Sequence, residues 1–244
     1  YFCEIFETKD LYKIILSSLI LISSYTGELF SGNQEVIVFS LVLISSKLSY
    51  EIILNKNNSS IENIIFLLLS FNAAIWIKNE GLFLIGFMIL FVLILSNITL
   101  LEKKILLITS VFLVIFRISV LMLLDTNLES FQFDKTLNFS HLNNLLTNIK
   151  TISFYSIVYV VSLPLILFGL ALAVYNFYNF KIDKIQIFIM GYTILNILFI
   201  FAAFIFAMEN VEWQVRVGLK RVMLQSSGFY LLTVVYLLNK TKIR

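Results

Sequence analysis

A chain of 244 residues with one cysteine, one histidine and one proline lacks the material for several common chemistries. Cys3 alone allows neither a disulfide framework nor a thiolate metal cluster, and with His141 as the only imidazole no ordinary zinc site can be assembled. Pro164 and eight glycines are too few for many long irregular loops. Charge is scarce too: 14% of residues carry one, the formal net charge is +3, and no basic run exceeds two residues. A nucleic-acid binder needs a concentrated basic footprint, so no nucleic-acid partner is expected. P-loop, GxGxxG, GxSxG and HExxH motifs are all missing, which removes support for nucleotide-driven transport and the common hydrolases.

Apolar side chains fill the space. They make up 59% of the residues, and the mean hydropathy is +0.94. A soluble domain needs more polar surface than this to cover its core, so lipid is the expected surroundings. The runs are too long for strands and lack period-two alternation, and an open sheet cannot stand in lipid. The fold class expected is therefore all-α, a polytopic transmembrane helix bundle forming a single domain over 1–244. Marking a span as about 20 apolar residues gives eight candidates: 11–26, 36–54, 61–78, 81–101, 104–124, 151–176, 185–208 and 217–238. Lys47 interrupts the second, and Pro164 is expected to kink the sixth. Between the fifth and sixth lies the one long polar stretch, 124–150, where the spacing of Leu142, Leu145, Leu146 and Ile149 suggests a short amphipathic surface helix.

Lys and Arg divide unevenly over the alternating breaks. Lys9, Lys13, Lys56, Lys103, Lys104, Lys181, Lys184, Lys240, Lys242 and Arg244 fall on one side; Lys78, Lys135, Lys150, Arg216, Lys220 and Arg221 fall on the other. Positive charge collects on the cytoplasmic side, so both termini are expected there. The chain starts at Tyr1, and the expectation is that it is the downstream part of a longer protein.

Cations on the outer side are then the informative ones. Lys78 sits beside Glu80 in Trp76-Ile-Lys-Asn-Glu-Gly81; Arg216, Lys220 and Arg221 sit in the segment Trp213–Arg221. Both tryptophans flank these clusters, as in a headgroup belt. On a regular helix Trp213, Arg216 and Lys220 share a stripe, and cations in a first helical turn oppose the helix dipole unless an anion binds there. The plainer alternative is that they snorkel to lipid phosphates. Lys78 and Glu80 read as a salt-paired interfacial turn or as a phosphate ligand. Arg117 is costly in lipid and needs a partner within the bundle. Glu28 and Glu35 in the first outer loop read as solvated carboxylates or as ligands for a metal or sugar hydroxyls, and His141 as a solvated loop residue.

Trp76-Ile-Lys-Asn-Glu-Gly81 before a long apolar helix resembles the "t-K-x-E-G" break of polytopic GT-C glycosyltransferases, the relatives of dolichyl-phosphate-mannose protein mannosyltransferases and of the bacterial lipid A aminoarabinose transferase. The ending, Trp213 through Arg221 and on to Met223-Leu-Gln225, resembles that family's "w…R-l-l-q" stretch, and Thr26-Gly27 to Glu35 is similar to its "G-y-x-D" segment, with Gln34 or Glu35 where the Asp is expected. The resemblance implies inverting transfer of a sugar from a polyprenyl-phosphate donor to a lipid or glycan acceptor on the outer face of a bacterial plasma membrane. It implies a substrate site drawn from Glu35, Lys78, Glu80, His141, Arg216, Lys220 and Arg221. The catalytic base, and any divalent metal, would belong to a loop upstream of Tyr1, so this chain alone would be inactive. Other readings are a lipid-linked oligosaccharide polymerase or flippase, against which the single His and absent Arg of the long loop count, and a small-solute transporter, which predicts broken helices at matching positions.

The topology has a direct test. With Cys3→Ser as background, Ser31→Cys is expected to react with an impermeant thiol reagent from outside intact cells and Lys103→Cys only after permeabilisation. The opposite pattern reverses the orientation.

Overall fold

The computed structural model describes residues 34–54, 60–124, 145–179, 182–205 and 211–242. Among them there is no strand. The helices are α1 (Glu35–Leu54), α2 (Ser60–Ile77), α3 (Asn79–Leu95), α4 (Leu100–Leu123), α5 (Leu145–Ser162), α6 (Pro164–Asn179), α7 (Lys184–Ile205), the single turn α8 (Val211–Gln214), a π-helical turn Val215–Leu219, and α9 (Lys220–Lys242).

The last helix is the centre of the bundle. Every residue of α9 from Val222 to Val235 is buried, and the helix packs against α1 on one side and α6 on another. At the α1 crossing the sequence Ser226-Ser227-Gly228 removes bulk. A Cβ built on Gly228 would stand 2.5 Å from the Phe39 carbonyl oxygen and 3.0 Å from the Leu43 nitrogen. Small residues let backbones approach this closely, which matters most where lipid gives no hydrophobic drive to association. Helix α2 folds back on α1, α3 on both, and α4 lies outermost against α2 and α3. A second tight point is Gly81, where a Cβ would meet the Ala74 carbonyl at 2.5 Å, so the α2–α3 hairpin needs a glycine there.

Helix starts are set by local chemistry that charge counting misses. Thr99 caps α4 in a reciprocal box with Glu102, whose carboxylate accepts from the Thr99 backbone N–H at 2.7 Å. Asp183 and Gln186 form the equivalent reciprocal pair at the start of α7, at 2.8 and 3.0 Å. Both are the S/T/D-x-x-E/Q signature. The break between the expected fourth and fifth spans therefore lies at Ser96–Thr99, and Glu102, Lys103 and Lys104 belong to the first turns of α4. Lys47 is accommodated inside α1 by Glu51 one turn on, at 3.5 Å.

Three helices, α1, α4 and α7, are long and apolar enough to cross a membrane, and α5 with α6 makes a fourth if the bent pair counts as one span. This is fewer than the eight expected. The first expected span, 11–26, lies outside the described residues. Helices α2 and α3 have 18 and 17 residues, or roughly 27 and 26 Å at 1.5 Å per residue, a little short of a ~30 Å hydrocarbon core. The sixth candidate is no kinked single helix: α5 and α6 diverge by 96° around Leu163, since Pro164 cannot donate to the helical ladder. The amphipathic stretch expected near 142–149 is, from Leu145, the beginning of α5. Helix α4 turns a continuous apolar face outward through Ile108, Phe112, Ile115 and neighbours, a surface that is unfavourable in water and favourable in lipid.

Gly228→Ile is expected to force α1 and α9 apart, at about 1–3 kcal/mol for overpacking. A clear fall in thermal midpoint in detergent should result. Gly86→Ala, where an added Cβ meets nothing within 4 Å, should leave the midpoint within a degree or so.

Candidate functional site

One end of the bundle gathers the ends of α1, α2, α3 and α9. Glu35 opens α1, Lys78 stands between α2 and α3, and Arg221 lies in the first turn of α9. Lys78 Nζ donates to Glu35 Oε1 at 2.5 Å. Glu35 is 3% exposed, so it is not the solvated loop carboxylate that composition suggested. Its partners explain why burial is tolerated: Lys78 holds it directly, and the Arg221 charge also acts on its carboxylate. Lys78 therefore contacts this acidic group, and Arg221 is near enough for its charge to reach it.

Lys78 does not pair with its sequence neighbour Glu80, as the Trp76–Gly81 turn suggested; its partner is 43 residues away. The α3 helix begins at Asn79 and directs the next two polar residues toward α4. Arg117 Nη2 donates to Asn79 Oδ1, and the Glu80 carboxylate is near enough for its charge to act on the guanidinium. Arg117 is thereby held within the bundle by α3 and has one nitrogen, Nε, buried without a partner.

Arg216 belongs to a different group. Its Nη2 donates to Glu212 at 2.6 Å and its Nε to the Tyr155 hydroxyl at 2.6 Å, with the guanidinium 5.5 Å from the Tyr155 ring centre. Tyr155 in turn donates to Glu212 at 3.1 Å. The Tyr155 hydrogen bond first, and then the nearby Glu212 carboxylate, hold the guanidinium more firmly protonated than an ordinary arginine. Arg216 and Glu212 remain 60% and 56% exposed, so this ion pair contributes little to stability.

The expected stripe of Trp213, Arg216 and Lys220 is interrupted by the π-turn, which inserts an extra residue into the register. Within that turn the Arg216 carbonyl accepts from the Tyr159 hydroxyl at 3.1 Å. The dipole argument for a bound anion does not hold for Arg216. Helical structure already includes Val211, five residues before it, and that turn carries Glu212. Lys220 is half-buried and Arg221 exposed. Trp76 is partly exposed beside the first group, with Nε1 donating to Asn72 at 3.2 Å, and Trp213 beside the second. His141 and Glu28 lie outside the described residues. Among the described residues no cluster of three or more His, Cys, Asp or Glu could hold a metal.

The opposite end is tied separately. Lys184 Nζ donates to Asn97 Oδ1 at 2.7 Å, and the Tyr236 hydroxyl to Asp183 Oδ2 at 3.0 Å. Tyr236 meets Tyr50 edge-to-face at 5.2 Å. The breaks near 97 and 183 and the end of α9 therefore share one end, and Glu35, Lys78 and the start of α9 share the other.

Sequence reading missed three participants: Asn79, Glu212 and Tyr155. Glu212 carried a signal, four residues before Arg216 at ion-pair spacing. Asn79 and Tyr155 carried none, because only packing brings α4 to α3 and α5 to the π-turn. Compared with family models, with curated proteins and with solved structures, the chain matches none.

Replacing one partner of a buried ion pair strands the other charge. Lys78→Met is expected to cost about 3 kcal/mol, the low end for such pairs since Lys78 retains some exposure, and Lys78→Met with Glu35→Gln should recover most of the loss. Thermal or denaturant unfolding of both variants in detergent measures this. Additive losses would mean the two side chains do not depend on each other.

Proposed function

We propose that this chain is a polytopic membrane protein, of bacterial plasma-membrane type with both termini cytoplasmic. It would serve a glycosyltransferase that moves a sugar from a polyprenyl-phosphate donor to a lipid or glycan acceptor on the outer face. The single observation that supports this most is the Lys78–Glu35 pair, with Arg221 close enough for its charge to act on Glu35, at one end of a largely apolar bundle. A phosphate at headgroup depth needs convergent cations, and a polyprenyl tail needs an apolar surface open to lipid beside them. The outward faces of α4 and α5 are such surfaces. In this reading Arg221 binds the phosphate, Lys78 is shared between phosphate and Glu35, and Arg216 with Glu212 shapes the rim. Eight spans remain part of the proposal, with α2 and α3 crossing as short helices and one span in the N-terminal region.

A transporter is favoured by one feature, the α5–α6 helix broken at Leu163. Transporters of the inverted-repeat kind place such breaks in pairs, and no second bent pair occurs among the described residues.

Binding of a short-chain polyprenyl phosphate to the chain in nanodiscs tests the proposal. Arg221→Ala is expected to weaken it roughly ten- to hundredfold, the value of one charge-assisted bond of ~1.5–3 kcal/mol. Arg216→Ala, whose guanidinium is already engaged, should weaken it less, and Lys150→Ala hardly at all. Equal losses at all three positions would indicate general attraction to anionic lipid and end the proposal.

A further inference from the structure

The elbow between α5 and α6 leaves a cavity of about 360 Å³, with those two helices as its walls and α7 and α9 as its floor. Its lining is hydrocarbon, because the Ser156 hydroxyl and the Asn196 Oδ1 are withdrawn from the surface. At the mouth Ile157, Val161, Leu167 and Ile197 are apolar and strongly exposed, so an occupant enters from the side of the bundle. Such a cavity takes up a hydrocarbon chain and does not discriminate between polar groups. A methylene is about the size of a water molecule, roughly 30 Å³ in the liquid, so the space suits on the order of ten carbons of one chain.

Groups able to select a polar head stand beside the cavity. Tyr155, which accepts from Arg216 Nε and donates to Glu212, is followed directly by Ser156 and Ile157 of the cavity wall. On α9 the lining begins at Met223, seven residues past Arg216, or roughly 10 Å at 1.5 Å per residue. The Arg216–Glu212 pair is open to its surroundings, at 60% and 56% exposure. Of the five guanidinium N–H donors, one on Nε is engaged with Tyr155 and one on Nη2 with Glu212. Both bonds that Glu212 accepts fall on Oε1. Each charge thus retains bonding capacity. Trp213, 63% exposed, lies in the same short stretch, as residues at headgroup depth do.

We propose that Arg216, Glu212 and the elbow cavity together bind one phospholipid whose zwitterionic head group carries a primary ammonium, of the phosphatidylethanolamine class. Its phosphate accepts from Arg216 and its ammonium donates to Glu212. One acyl chain runs along α5 into the crook, and the other stays in the bilayer. The balanced ion pair fixes the class of head group. An anionic head group sets its charge beside Glu212 with no cation of its own to answer it, and a choline head group has no N–H to donate to the carboxylate. The site is separate from Glu35, Lys78 and Arg221. It rests on the membrane placement proposed above and not on binding of a polyprenyl phosphate.

The test uses the full chain in phosphatidylcholine vesicles with a trace of one of three probes: phosphatidylethanolamine, phosphatidylcholine or phosphatidylglycerol, each with the same acyl chain bearing a diazirine near its end. Crosslinks to the outward face of α4, through Ile108, Phe112 and Ile115, measure general contact with lipid. Crosslinks to the elbow, residues 157–170, are read as a ratio to these. The ethanolamine probe is expected to give a ratio about fivefold above the other two, the upper end for one exposed charge contact. Arg216→Gln should lower that ratio about fivefold. Glu212→Gln should lower the ethanolamine ratio and raise the glycerol ratio, an exchange of preference that a loss of structure does not produce. Ile157→Trp closes the mouth and should remove elbow crosslinks while those to α4 persist. The proposal is overturned if the three probes give equal ratios, if either polar substitution leaves the ratios unchanged, or if Ile157→Trp leaves elbow labelling intact. No α4 crosslinks with any probe would refute the membrane placement itself, and this proposal with it.

Discussion

The approach of α9 to α1 at Gly228 is the constraint on which the rest of the arrangement depends. The two helices run side by side from Arg221 and Glu35 at one end to Tyr236 and Tyr50 at the other. A side chain at Gly228 would collide with the α1 backbone itself, which cannot move aside as a rotamer can. Once this seam closes, the first described helix and the last are fixed in parallel. The shorter hairpin of α2 and α3 then packs on α1, while α6 and α7 pack on α9. Phe229 stacks on Tyr192 with ring centres 3.9 Å apart, carrying α7 into the same core.

The ion pair at the end of this seam is better understood as a locator than as a source of stability. Burying Glu35 costs hydration that its cationic partners must offset, so the net stabilisation is smaller than the short contact suggests. The pair does fix which helix ends meet, because any packing that separated them would leave a buried charge unmet. Arg221 adds a cation in excess of what Glu35 needs. The second group, Arg216 with Glu212 and Tyr155, is exposed and internally balanced, and its main effect is to hold α5 against the π-turn.

Polar groups within the bundle fall into two kinds. Ser46, Ser110 and Thr233 return their hydroxyl hydrogens to carbonyls one turn back, a local solution that needs no partner helix. Asn196, Gln225 and Tyr192 have no such local option and retain buried atoms without partners. These lie on α7 and α9, and the hydroxyls of Ser45 and Ser49 on α1 and of Thr193 on α7 are likewise buried without partners.

The all-helical class was legible in composition alone, since 59% apolar residues without period-two alternation leave few other structures. The contrast between the two ends was legible too, from alternating breaks and their charges. So were the capping boxes at Thr99 and Asp183, had the S/T/D-x-x-E/Q spacing been weighed above the lysines that follow it. Hydropathy could not distinguish helices with exposed apolar faces from α9, which is buried from Val222 to Val235 and carries Gln225, Ser226, Ser227 and Gly228 through the centre. It also made one span of α5 and α6, because a proline predicts a break without predicting its angle. The partner of Lys78 was decided by tertiary structure alone. Glu80 is two residues away but makes no ion pair with it, whereas Glu35 is 43 residues away and lies where the α1–α9 seam delivers it. Local sequence determines what each helix is and where it can begin. Which charges meet is set by the backbone approach at a few small residues, and that is a property of two segments together.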